Sequence, residues 1–143
     1  MTKIHVAGSI GSNHVPQLWQ HKAKPSMSTV IELSLPPSTN RLWRTGRGRV
    51  FRSKPYMTWL STAGWELKAQ RPGKIRGPVA IAVVAGRPDQ RRRDLDNIAS
   101  KALLDLLVAH GVVEDDSKVV RIASGWDSAI APGRISVSIT AAN

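Results

Sequence analysis

The run at residues 78–85, PVAIAVVA, constrains the fold more than any other stretch of this chain. It is too short to span a membrane and is closed by Gly86 and Pro88, so it reads as a buried strand. Such a strand needs other elements on either side, and the flanking sequence supplies them. Residues 30–35 alternate as a second strand, stopped by Pro36-Pro37 and a turn at Ser38-Thr39-Asn40. Residues 42–52 fit a hairpin around Thr45-Gly46-Arg47-Gly48, with Trp43, Val50 and Phe51 on its arms. Ser53 followed by Pro55 marks a helix start, and Trp59, Ala63 and Leu67 share one face.

The second half repeats the mixture. Residues 98–110 read as a helix whose apolar face is Ala102, Leu103, Leu106, Leu107 and Ala109, with Gly111 as its C-terminal cap. Val112-Val113 leads to a turn at Glu114-Asp115-Asp116, and strands are expected at 118–123 and 134–140. Mixed strands with two main helices predict a small single-domain α+β fold. At 143 residues there is room for one core. Residues 1–28 lack periodicity and read as a flexible leader or an upstream translation start, Met27 being a natural beginning. The irregular spacing of His5, His14 and His21 there does not favour a metal cluster. Residues 29–143 form the domain.

Charge points to the partner. Twenty-one Lys and Arg against ten Asp and Glu give +11, which favours a polyanion, nucleic acid above all. With no cysteine, disulfides and thiolate metal sites are excluded, and the expected setting is the cytoplasm. Yet seven of the ten acids fall between Asp89 and Asp116, where only Arg91, Arg92, Arg93 and Lys101 are basic. Carboxylates repel phosphate, so an acidic island in a basic chain makes sense around a divalent cation.

The core of that island is Arg91-Arg92-Arg93-Asp94-Leu95-Asp96-Asn97. In extended backbone, Asp94 and Asp96 point to one side and could share a cation, with Leu95 turned the other way. Magnesium accepts a few carboxylate oxygens and keeps sites open for water and phosphate. The helix carries the chain about 20 Å onward, and a following turn could return Asp116 to the pair. The competing reading makes Asp94 or Asp96 a helix cap.

The segment RRRDLDNIASKALLDLL followed by GVVEDDSKVVRI, with LPPSTNRLW upstream, resembles the RusA-type Holliday junction resolvases from residue 30 to the C-terminus. The resemblance implies a homodimeric, Mg2+-dependent endodeoxyribonuclease of recombination and repair. Such an enzyme cuts branched DNA, the four-way junction, by paired symmetric nicks, in a bacterium or a phage-infected host, beside a CC step. It assigns the metal to Asp94, Asp96 and Asp116 and a catalytic role to Lys101. One departure is that Lys101 follows the second aspartate by five residues where the family has four, a rotation of about 100° on a helix.

DNA contacts are expected from Arg91, Arg92 and Arg93 and from the hairpin through Arg47 and Arg49, within a basic run of Arg41, Arg44, Arg52 and Lys54. Trp43 and Phe51 are expected in the core or a dimer contact, Asn40 in a turn, and His110 at a helix end. Asp115 is expected to support the metal site or to be solvated. Two other classes fit the composition: a non-catalytic nucleic-acid binder, and a metal-dependent nuclease of RNA or unbranched DNA.

Overall fold

The 78–85 run folds as a strand of which every residue from Val79 to Ala85 is buried. The structure, a computed structural model, describes residues 28–88 and 100–142. In chain order the elements are β1 (Ser28–Ser34), β2 (Trp43–Gly46), β3 (Arg49–Arg52), α1 (Lys54–Gln70), β4 (Val79–Ala85), α2 (Ser100–Ala109), β5 (Val119–Trp126) and β6 (Arg134–Ala141). The main sheet has the order β1-β6-β4-β5, and β2-β3 form a separate ribbon. β6 is antiparallel to both β1 and β4, whereas β5 is parallel to β4. A parallel neighbour requires a crossover connection, and the stretch containing α2 provides it. The mixed sheet with two helices is the α+β domain expected from the sequence.

One face of this sheet carries the core. Ile31, Leu33, Ile81, Val83, Ile135, Val137 and Ile139 meet Trp59, Ala63 and Leu67 of α1 and Leu103, Leu106 and Leu107 of α2. The expected faces of both helices are therefore the buried ones, with one exception. Ala109 is exposed, because the helix ends there and the chain turns away at His110-Gly111. His110 instead packs over Gly64 of α1, its Nε2 3.2 Å from where a Cβ would stand. β5 outruns the expected 118–123, because its parallel partner extends the pairing through Ala85 and Trp126. β1 starts at Ser28, paired with Thr140, although the sequence placed Ser28 in the leader.

The outer edge of β1 is closed by α1. Gln70 bonds the Glu32 backbone in both directions, at 2.8 and 2.6 Å. Glu66 accepts the Ser34 amide at 2.8 Å and the Ser34 hydroxyl at 3.0 Å, and pairs with Arg134 at 2.5 Å. Side chains thus satisfy an edge that would otherwise invite pairing with another chain. Burial tends to raise the Glu66 pKa, but the bonds from Arg134 and Ser34 prevail and hold it below 4.5. A depressed carboxylate stabilises the fold at neutral pH and loses that contribution as pH falls through its native pKa. Glu66→Gln should cost about 1–3 kcal/mol at pH 7. The difference from wild type should shrink below pH 4, as read from denaturant midpoints at the two pH values.

The hairpin stands off this body. All eight residues of β2 and β3 are exposed. Trp43 and Phe51, each 47% exposed, are therefore not core residues, one of the two places expected for them. The ribbon lies outside the main sheet, so no second layer covers them. The turn between the strands holds Arg47 at φ 52° and Gly48 at φ 72°. Two positive φ values in a two-residue loop define the turn whose twist matches a hairpin. At the base, Ser53 is tied to Leu42 and Arg41 through backbone and hydroxyl, and the same hydroxyl caps α1 by accepting from the Tyr56 amide at 3.2 Å. Gly86 fixes the other approach to the site, since any Cβ there would lie 2.2 Å from the Ala131 carbonyl oxygen.

Candidate active site

The chemistry-bearing residues among those described gather where the chain enters and leaves the α2 unit. After Gly111, whose φ of 75° closes the helix, Val112 and Val113 are buried and anchored. Val113 forms a bridge with Ile75, and the Ile75 amide donates to the Val112 carbonyl at 3.0 Å. Glu114 accepts the Gly77 amide at 2.7 Å, which fixes the next residue. A short 3-10 turn, Asp116–Lys118, then leads into β5.

The two aspartates of this turn do different things. Asp115 is the cap: its carboxylate accepts the Ser117 amide at 3.0 Å and the Ser117 hydroxyl. Those bonds, the hydroxyl first, hold its pKa below the ordinary value. Asp115 is thus occupied with its own turn, not simply solvated. Asp116 is left to face outward, with 54% of its side chain exposed. Its Oδ2 lies 3.8 Å from the Lys101 Nζ, although the length of α2 separates the two in sequence.

Lys101 sits on the first described turn of α2 with 60% of its side chain exposed. Its ammonium is 3.2 Å from Asp105, one turn further along the helix. The hydrogen bond and charge of Asp105, then the charge of Asp116, raise its pKa above 10.5, so it opposes Asp116 as a full cation. The charge of Asp105 also acts on Tyr56, a buried residue at the start of α1. Burial first, then the Asp105 charge, push the Tyr56 phenol above 10.0. Reading the sequence missed both Asp105 and Tyr56. The i,i+4 spacing of Lys101 and Asp105 was a visible signal for the first; nothing local marks the second.

The fold therefore brings Lys101 and Asp116 together, despite the shifted spacing of the lysine. Asp94, Asp96, Arg91, Arg92 and Arg93 lie outside the described residues, as do His5, His14 and His21. Among the described residues no group of three or more His, Cys, Asp or Glu could hold a metal ion. What Asp116 contributes is one exposed hard oxygen ligand, suited to a cation such as magnesium if further carboxylates join it.

Arg47 and Arg49 project from the exposed hairpin with Arg44 and Arg52. Arg52 lies over the Tyr56 ring at 5.7 Å, and the Trp43 ring meets Tyr56 edge-on at 5.8 Å. The described residues thus present an exposed carboxylate–ammonium pair and an exposed arginine-rich ribbon on one α+β domain.

Comparison with known proteins makes the class specific. Residues 34–140 match the family described as Endodeoxyribonuclease RusA. The crossover junction endodeoxyribonuclease RusA of Escherichia coli K12 is 35% identical over 111 residues, covering 77% of this chain and 92% of that protein. The corresponding protein of Enterobacteria phage 82 is 34% identical over 119 residues, covering 77% and 92%. That of Aquifex aeolicus is 31% identical over 87 residues, covering 60% and 68%. This chain belongs to the RusA endodeoxyribonuclease family.

Proposed function

We propose that this protein is a magnesium-dependent endonuclease that resolves four-way DNA junctions by paired symmetric nicks, as a homodimer, in recombination and repair. The observation that carries this reading is the convergence of Lys101 and Asp116 in a chain of this family. The oxygen-only set Asp94, Asp96 and Asp116 would hold the cation. When bound, that ion supplies an acidified water and neutralises charge on the scissile phosphate.

The chain's own groups do the rest. Lys101, as a fixed ammonium, stabilises negative charge developing at the phosphate. Arg47, Arg49 and the Arg91-Arg92-Arg93 run grip flanking phosphates. The capping of the 3-10 turn by Asp115 weakens the non-catalytic alternative, because Asp116 is not needed for that duty. A junction needs two opposed nicks, and one chain offers one such cluster. A two-fold dimer matches that symmetry. Among the described residues no helix is long and apolar enough to cross a membrane, which suits a protein working on bacterial or phage DNA.

The deciding experiment incubates the protein with a four-way junction and a linear duplex of the same sequence, with and without magnesium. Paired nicks confined to the junction and to magnesium are expected. Light scattering should give about twice the 15.6 kDa chain mass. Cleavage of linear duplex at the same rate, or a monomer that makes paired nicks, would overturn the respective part of the reading.

A further inference from the structure

The Lys101–Asp105 pair is poorly explained as a device for holding α2 together. Lysine before an acid at i,i+4 is the weaker order on a helix, and an exposed pair adds little stability. The pair differs from an ordinary surface bridge in how its acid is held. Asp105 is only partly exposed, and its charge reaches the hydroxyl of buried Tyr56. The Tyr56 ring is itself fixed, stacked on Trp59 at 6.5 Å and met edge-on by Trp43. Lysine carries its charge on a flexible four-carbon stem, and a charge that must face one point needs an anchor. Asp105, at 3.2 Å, is the nearer anchor, while Asp116 lies at 3.8 Å.

We propose that Asp105, braced by Tyr56, is the positioning residue that holds the Lys101 ammonium against Asp116. This rests on the functional reading above and deepens it, since Lys101 is the group through which Asp105 acts. It also ties the site to the hairpin: Tyr56 carries Arg52 over its ring and Trp43 against its edge, both from the arginine-rich ribbon.

The test uses the full chain and two independent readouts. In metal-free protein labelled with 13C-lysine, the two ε-methylene protons of Lys101 should be inequivalent, as for a held side chain. In Asp105→Asn they should merge, and in Tyr56→Phe move toward each other. The second readout is single-turnover cleavage of a four-way junction. Asp105→Asn should slow it about tenfold, the scale on which partners that orient a reacting group act. Junction affinity without magnesium should be unchanged and the melting temperature near that of wild type. Tyr56→Phe should lose less in the same direction. Asp105→Asn with unaltered Lys101 signals, or with a wild-type cleavage rate and altered signals, would overturn the proposal. Absence of cleavage by the wild type would sink the functional reading instead, and the Lys101 signals would still decide whether Asp105 holds the lysine.

Discussion

Asp116→Asn is expected to reduce junction cleavage by about a thousandfold or more. The substitution keeps size and shape but removes an exposed carboxylate that the proposed site would offer a cation. Charge stabilisation by a bound ion is worth several kcal/mol, and each ~1.4 kcal/mol is tenfold in rate. Folding should be almost untouched, because Asp115, not Asp116, caps the 3-10 turn. Junction binding without magnesium should persist or tighten, since one repulsion of phosphate is gone. The paired control is Asp115→Asn, which weakens the cap over Ser117 and should lower the melting temperature slightly while leaving most activity. Gel-resolved single-turnover cleavage with a binding assay on the same preparations separates the two. Near-normal nicking by Asp116→Asn would take this residue out of the catalytic set.

The second large effect concerns the hairpin. Replacing Arg47 and Arg49 together should weaken junction binding at least about tenfold and lower the log–log salt slope by about 2 for each protomer whose hairpin touches the junction, since each phosphate contact contributes near 0.9. The choice of replacement matters. Arg47 holds φ at 52°, a region costly for most residues, so Arg47→Gly removes the charge while easing the turn. Paired with Arg49→Ala, it tests charge and not hairpin collapse. Fluorescence anisotropy with a labelled junction from 50 to 300 mM salt (concentrations spanning about a twofold change in screening length) gives the slope. An unchanged slope would move the phosphate contacts away from the ribbon.

Local signals in the sequence determined most of the secondary structure. The apolar run of β4, the alternation of β6, the Ser53 and Gly111 caps and the Arg47-Gly48 turn all act within a few residues, where backbone preference and hydrophobic period suffice. The acidic island, with Asp116 in it, was legible for a similar reason, since carboxylates concentrated in a basic chain stand out without a fold, whereas Lys101 was marked only by the family resemblance. Only the tertiary structure decided the order β1-β6-β4-β5, because burying one face of each strand specifies neither its neighbour nor its direction. The closing of the β1 edge by Glu66 and Gln70 depends on how α1 lies across the sheet. Trp43 and Phe51 read as core or dimer contacts by type, and their exposure follows from a ribbon outside the main sheet. The division of labour between Asp115 and Asp116 turns on which carboxylate points back at Ser117, a matter of backbone angles at one turn. The charge of Asp105 acts on Tyr56 only through the tertiary fold, a proximity that residues far apart in sequence do not announce.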